Sequence, residues 1–231
     1  MTAALELIAA RGPAGFTVAE TARVAGVSPS APYRHFRDAD ALLAEVAMRG
    51  FDRLAETMAA VSQASRARPV AAFETVGRAY LDFARTQPAY YAAMFDGRIS
   101  PDEHPDLYAA NERVFVVMRN VADLLTESIP KAARPPALMM ALHVWTMVHG
   151  IASLFVRAGP SRRKLPMSAE DLLEAGLLIC IQVLGLHTGD TQPVLFTAAL
   201  AFFDFGGVAW VAVRRLPLIV LVGCGWYALW V

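Results

Sequence analysis

The stretch from Phe16 to Phe36, FTVAETARVAGVSPSAPYRHF, constrains this chain most, because it reads as two short helices joined by a tight turn. Thr17 is placed to be an N-cap and Glu20, three residues later, to answer it as a capping box, while Val18, Ala22, Val24 and Ala25 supply apolar spacing. Gly26 suits a left-handed residue after the helix, and Val27 is expected to bury under the turn. Ser28 followed by Pro29 then gives an N-cap with proline at the first helical position, so the next helix is expected to begin at once. A glycine turn between two helices is the geometry in which the second enters a major groove and the first crosses the backbone.

The second helix offers donors and small surfaces and few large apolar groups. Ser28, Tyr33 and His35 are suited to phosphates, whereas Ser30, Ala31 and Arg34 are better placed for base edges or thymine methyls. Phe36 is expected to anchor in the core. Pro32 disturbs this helix: with Ser28 as N-cap, its missing N–H removes the first intrahelical bond, so the start should be loose or wound into a tighter turn, and its ring is free to serve as a contact.

These residues resemble the TetR (tetracycline-repressor-like) family of bacterial transcription regulators. The resemblance runs through Ala4–Gly12 (ALELIAARG), Phe16–Ser28, Tyr33–Phe36 and Ala41–Leu43. It implies that Thr17 and Tyr33 touch phosphates, that His35 supports the recognition helix or a phosphate, and that Ser30, Ala31 and Pro32 face bases. Two departures stand out. Ala39 occupies a position where the family often carries a phosphate-gripping lysine, and the chain begins inside the first helix, without the basic arm that usually precedes it, as a late start codon or a real truncation would give.

The charge balance is even, with 21 basic and 21 acidic residues. The first fifty residues balance as well, Arg11, Arg23, Arg34, Arg37 and Arg49 against Glu6, Glu20, Asp38, Asp40 and Glu45. No global field draws this chain onto DNA, which argues against tight non-specific binding and for modest affinity carried by a few well-placed contacts. Cys180 and Cys224 lack paired spacing and fit a reducing, cytoplasmic compartment without a disulfide framework.

Helical periodicity extends along most of the chain, giving an all-α fold: a three-helix helix-turn-helix domain over residues 1–50 and a larger helical ligand-binding and dimerisation domain over 51–187. In the first helix Leu5, Ile8 and Ala9 are read as the inner face. From Asp38 to about Val61 a longer helix with Leu42, Val46, Phe51, Leu54 and Met58 inward forms a natural lever between head and body. After a connector at Ser62–Pro69, Val70–Gln87 carries Phe73, Val76, Tyr80 and Phe83 in register, a short helix from Pro88 reaches Phe95, and Gly97–Asp106 is a loop by composition. Leu107–Ser128, Ala137–Arg157 and Ser168 to about Leu186 complete the body, and the last two are candidates for a four-helix homodimer interface.

The body also resembles a WHG-type TetR branch, through Trp145 and His149-Gly150 in ALHVWTMVHGIASL and through YLDFARTQPAYYAAMF at Tyr80–Phe95. The resemblance implies a small effector bound in the body that releases double-stranded operator DNA. Candidate pocket residues combine aromatic area with polar handles: Phe83, Tyr90, Tyr91, Met94, Phe95, His143, Trp145 and His149. Each aromatic fits ordinary core more readily than a pocket wall, and His149 either lines the pocket or simply hydrogen-bonds inside the bundle. His143 and His149 stand six apart, on different helix faces, so no shared metal site is expected.

The tail, residues 188–231, is hydrophobic. From Val194 on only Asp204, Arg214 and Arg215 are charged, and Val194–Val213 approaches the ~20 residues that span a bilayer. Read as a hairpin with both arginines on the cytoplasmic side, it would strand the head outside, and Asp204 opposes insertion. An added or out-of-frame segment is the expectation. A dinucleotide-like Gly223-Cys-Gly225 run lacks a following helix, and no nucleophile elbow, zinc helix or phosphate loop occurs, so no catalytic residues, cofactor or metal are assigned. The reading is a ligand-responsive DNA-binding regulator, a repressor released by an apolar or aromatic effector. The alternative is a membrane-associated regulator or sensor using residues 194–231.

Overall fold

The computed structural model describes residues 1–97, 99–100, 103–127, 129–132, 134–156, 165–184 and 186. Met1–Thr188 group as one compact unit and Gly189–Val231 as another. The hydrophobic tail, Cys224 and the membrane-associated alternative that rests on the tail lie outside the described residues.

The regular elements among the described residues are all helical: α1 (Thr2–Arg11), α2 (Val18–Val24), a 3-10 turn (Pro32–Arg34), α3 (Ala39–Ala64), α4 (Pro69–Thr86), α5 (Pro88–Asp96), α6 (Pro105–Thr126), α7 (Ala137–Val156) and α8 (Ala169–Val183). Proline sits at the start of α4, α5 and α6, where its missing N–H costs nothing. Side-chain caps start three more: Thr17 for α2, Asp38 for α3, and a complete Ser168–Asp171 capping box for α8. One apolar core runs from α1 through α3, α4, α5 and α6 to α7 and α8, and includes Leu42, Phe73, Tyr80, Met118, Val148 and Leu173.

The lever helix is α3. Its 26 residues reach about 39 Å at 1.5 Å per residue, and the expected inner residues Leu42, Val46, Phe51, Leu54 and Met58 are all buried. It packs against α4, α5 and α6 in the body, and the proposed boundary near residue 50 falls within it. The connector is shorter than expected, residues 65–68, because α3 continues to Ala64.

Three local expectations are corrected. In α1 the buried residues are Ala3, Ala4, Leu7 and Ile8, while Leu5 is half-buried and Ala9 exposed. An alanine-rich helix offers two neighbouring apolar stripes, and packing against α5 selects the one with Leu7. Val27 stands 47% exposed rather than under the turn. The second helix of the head is no helix from Ser28: the chain turns through i→i+3 bonds, Ala31 N–H to Ser28 C=O at 3.0 Å and Arg34 N–H to Ala31 C=O at 3.3 Å. Only Pro32–Arg34 is wound, and as a 3-10 turn. Pro32 lacks the donor that would reach Ser28 C=O, and its ring would collide with that carbonyl in an α-helix. The tighter turn expected at Pro32 is what forms.

Candidate nucleic-acid interface and effector site

The head is rigid on the side that leads into the turn. Thr17 Oγ1 accepts from Glu20 N–H at 3.1 Å, and Thr21 Oγ1 donates to Thr17 C=O at 2.9 Å. At the other end Gly26 N–H donates to Arg23 C=O and Val27 N–H to Ala22 C=O, a Schellman closure that needs the φ of 68° at Gly26. The capping box stays half-made, because the Glu20 carboxylate turns to Arg11 at 2.6 Å and lies 3.8 Å from Arg23. That ion pair ties α2 to the end of α1.

Beyond this closure lies the polar surface. Thr17, Ser28, Ser30, Tyr33, Arg34 and His35 are exposed, and Ala31 and Pro32 half-buried. Tyr33 shows 54% of its surface, unusual for a large aromatic. Ser28 Oγ and Ser30 Oγ lie 3.4 Å apart. Phe36 packs on the core and carries His35, its ring 6.4 Å away. Asp38 then caps α3 by accepting from Ala41 N–H at 2.8 Å, and holds Arg37 at 2.7 Å. The Ala41 N–H first, and Arg37 next, hold this carboxyl below the usual range. Exposed donors thus form a short continuous strip between two capped helices.

In the body, α4, α5 and α7 bring Tyr80, Tyr91, Phe95, Trp145, His149 and Ser153 together. The hydroxyls of Tyr80 and Tyr91 each lie 3.0 Å from His149 Nδ1. Ser153 Oγ is 3.4 Å from Tyr91 Oη and 3.5 Å from His149 Nε2. The Trp145 ring stacks on His149 at 5.4 Å and 18°, and Phe95 lies 4.5 Å from the same imidazole. Burial pushes the Tyr80 phenol far up and that of Tyr91 up, and it lowers His149, with Asp96 opposing, so the imidazole is neutral at pH 7.

Two clefts lie along the helices of the body, and neither is lined by the residues of this cluster. One of about 400 Å³ lies between α3 and α4, lined by residues including Arg53, Glu56, Asp82 and Phe83. Another, about 470 Å³, lies among α4, α7 and the start of α8, with Leu81, Pro88, Ala152 and Phe155 on its walls and the Arg85–Glu170 ion pair, at 3.0 Å, beside it.

Residues 1–46 match the family described as bacterial regulatory proteins, tetR family, and residues 73–178 match the tetracyclin repressor-like C-terminal domain. The chain belongs to the TetR family. It is 25% identical over 176 residues to the uncharacterized HTH-type transcriptional regulator YobS of Bacillus subtilis, covering 75% of this chain and 82% of that one. Its fold is similar to the TetR family transcriptional regulator PfmR of Thermus thermophilus, with a TM-score of 0.58 and 18% identity over 78% of this chain and 94% of that one. It is also similar in fold to the fatty acid degradation regulator FadR of Bacillus halodurans, TM-score 0.60 and 11% identity over 83% and 94%. This TetR-family chain is therefore a DNA-binding transcriptional regulator rather than an enzyme.

Within this TetR-family body the eight expected pocket residues divide. Tyr91, Phe95, Trp145 and His149 meet in one cluster. Phe83 is buried at the α3–α4 cleft instead. Tyr90 lies under the Arg53 guanidinium, 5.0 Å from it, and Met94 packs against Gly50 of α3. His143 is exposed on α7 and does not join the cluster, since six residues along a helix rotate it away from His149. Tyr80 and Ser153 were missed. A tyrosine within an apolar stripe needs a partner for its hydroxyl, and Ser153 follows His149 by one turn; both signals were present in the sequence.

Proposed function

We propose that this regulator is a homodimeric, ligand-responsive repressor. Its head, residues 1–50, holds a short palindromic operator, with Thr17, Ser28, Tyr33 and His35 on phosphates and Ser30, Ala31, Pro32 and Arg34 toward bases. Its body, residues 51–187, dimerises through α7 and α8, and a small apolar or aromatic effector enters beside Tyr91, Phe95, Trp145 and His149 and releases the DNA. Phe83, Tyr90 and Met94 support this site from behind. The dimer reading rests on apolar side chains left outward on these two helices: Leu138, Met139 and Leu142 on α7, and Ile179 and Val183 on α8. Such a pairing sets two recognition turns about one DNA turn apart.

The observation that carries the effector reading is the Tyr80–Tyr91–His149–Ser153 cluster, a polar group set among aromatic rings within an otherwise apolar bundle. Helix α5 carries Tyr91 and Phe95 on this side and packs against α1 of the head and against α3. The test is binding of the full chain to a labelled duplex from just upstream of its coding region, across a salt series, against random DNA, with and without small aromatic compounds. Specific binding that an aromatic compound relieves supports the reading. Specific binding that none of a broad panel alters removes the effector half and leaves the DNA half.

A further inference from the structure

Residues 1–50 hold five arginines and no lysine, and four of the five are taken by carboxylates of the head itself. The same Glu20 oxygen, on a side chain 22% exposed, meets Arg11 at 2.6 Å and Arg23 at 3.8 Å, and Glu45 holds Arg49 at 2.7 Å. Arg37 is held more firmly than an ordinary surface pair. Asp38 Oδ1 is already fixed by the Ala41 N–H at 2.8 Å, so Oδ2 accepts from Arg37 Nε at 2.7 Å at the cost of one side chain's freedom rather than two. Glu103 and Asp40 add their fields to that of Asp38 at this guanidinium. Arg34 differs: it is exposed, it lies in the polar strip between Tyr33 and His35, and among the described residues no carboxylate pairs with it.

We infer that Glu20 and Asp38 withhold Arg11, Arg23 and Arg37 from DNA, so that each head grips the duplex electrostatically through Arg34, and that Asp38 sets how tightly. This deepens the proposed DNA reading and rests on it. A free arginine that meets a phosphate releases a condensed cation from the duplex, and that release makes binding both favourable and salt-dependent. A paired arginine must first give up its carboxylate. The carboxylate then attracts a cation of its own, so the exchange releases almost nothing. Two heads with one free guanidinium each give a slope of log affinity against log salt of about −2, at about −0.9 per phosphate neutralised. Arg37 stands three residues after Arg34 and two before Ala39, the position without a lysine, so it is the cation best placed to add a contact once released.

The test is fluorescence anisotropy of the full chain, across a salt series, on the duplex from just upstream of its coding region and on a random duplex. Asp38→Asn keeps an N-cap of similar quality and removes the charge, so the variant should melt close to wild type. Its slope should steepen to about −4, and both duplexes should bind about tenfold more tightly at about 0.1 M salt. Arg34→Ala should lose most of the wild-type slope. Arg37→Ala should leave wild-type binding nearly unchanged and abolish the gain when combined with Asp38→Asn. A wild-type slope of about −6 or steeper overturns the inference and keeps the DNA reading, because paired arginines then reach phosphates. A gain from Asp38→Asn that survives Arg37→Ala also overturns it, since the carboxylate would then act by its own repulsion. Weaker binding by Asp38→Asn overturns it as well, by showing that Asp38 aims Arg37 at the duplex. Binding of neither duplex by the wild-type chain at low salt removes the DNA reading itself and this inference with it.

Discussion

Removing Tyr80 and Tyr91 hydroxyls together should cost far more than removing each alone. Both hydroxyls lie 3.0 Å from His149 Nδ1, so either can donate to it when the other is gone. In Tyr91→Phe, Tyr80 turns its proton to Nδ1, and the loss is the Ser153 contact at 3.4 Å, which a half-buried serine can replace with water. In Tyr80→Phe, Tyr91 keeps Nδ1 and only the Tyr80 hydroxyl's own bond is lost. Each single change therefore costs about 1 kcal/mol, one ordinary net hydrogen bond. The double variant leaves Nδ1 bare among aromatic rings and adds the penalty of an unsatisfied acceptor, about 1–3 kcal/mol more. The sum is about 3–5 kcal/mol, with a coupling of about 1–3 kcal/mol between the sites. For a unit of this size, at ~2–4 °C per kcal/mol, the singles should melt roughly 2–4 °C lower and the double roughly 6–20 °C lower. Urea unfolding of the four chains, followed by circular dichroism, measures the cycle directly. Additivity within about 0.5 kcal/mol would refute the shared-acceptor argument.

The remaining predictions concern pH and the head. Burial holds the His149 pKa below its ordinary 6.5, so its contribution to stability is complete above that value and is lost as pH falls through 6.5 toward the lower folded value. Melting temperature should decline over that window, and His149→Gln should flatten the decline; an equal slope in both chains would assign it elsewhere. Thr17→Ala removes the α2 cap and should cost about 1 kcal/mol by denaturant titration, with Thr17→Ser restoring it. Tyr33→Ala should weaken specific and random duplexes by the same factor in a gel-shift series, and a change confined to particular bases would refute a phosphate role.

How far the sequence spoke depends on how local each signal was. The Gly26 turn was legible because few residues other than glycine take a φ of 68°, and the Ala22–Gly26–Val27 spacing carries the whole closure. The faces of α3 and α4 were legible because large apolar residues recur there at helical spacing. The recognition segment was half-legible: Ser28-Pro29 signals a helix start, Pro32 forbids its first α turn, and the local conflict resolves into a 3-10 turn. In α1 small alanines blurred the stripe, and packing on α5 decided it. The site was legible on α7 alone, where Trp145, His149 and Ser153 follow one another by one turn. Tyr80 lies 69 residues from His149 and Tyr91 58, and no periodicity joins them; only the crossing of α4 and α5 with α7 does. His143 was chosen for its chemistry and excluded by its face.

The route from that site to the head passes through a contact with no slack. Tyr91 and Phe95 face the cluster from α5, and Phe95 meets Phe51 of α3 edge-on at 5.6 Å. Met94 of the same helix lies so close to α3 that a Cβ on Gly50 would stand 2.7 Å from its sulfur and 3.3 Å from Tyr90 Cβ. An effector that displaces Tyr91 or Phe95 must therefore move α5 against α3, and its action is limited by its differential affinity for the two positions. Gly50→Ala isolates this step. Alanine in a helix interior gains about 1 kcal/mol over glycine, while the added methyl costs about 1–3 kcal/mol in overpacking that Met94 can partly relieve by a rotamer change. Net stability should shift by no more than about 2 kcal/mol, yet α5 is pushed from α3 without ligand. The expected outcome is operator affinity lowered severalfold and a weakened response to effector, read by fluorescence anisotropy beside a melting curve. An unchanged operator affinity with an intact effector response would show that the signal travels by another contact, the Arg113–Asp52 pair between α6 and α3 being the next to test.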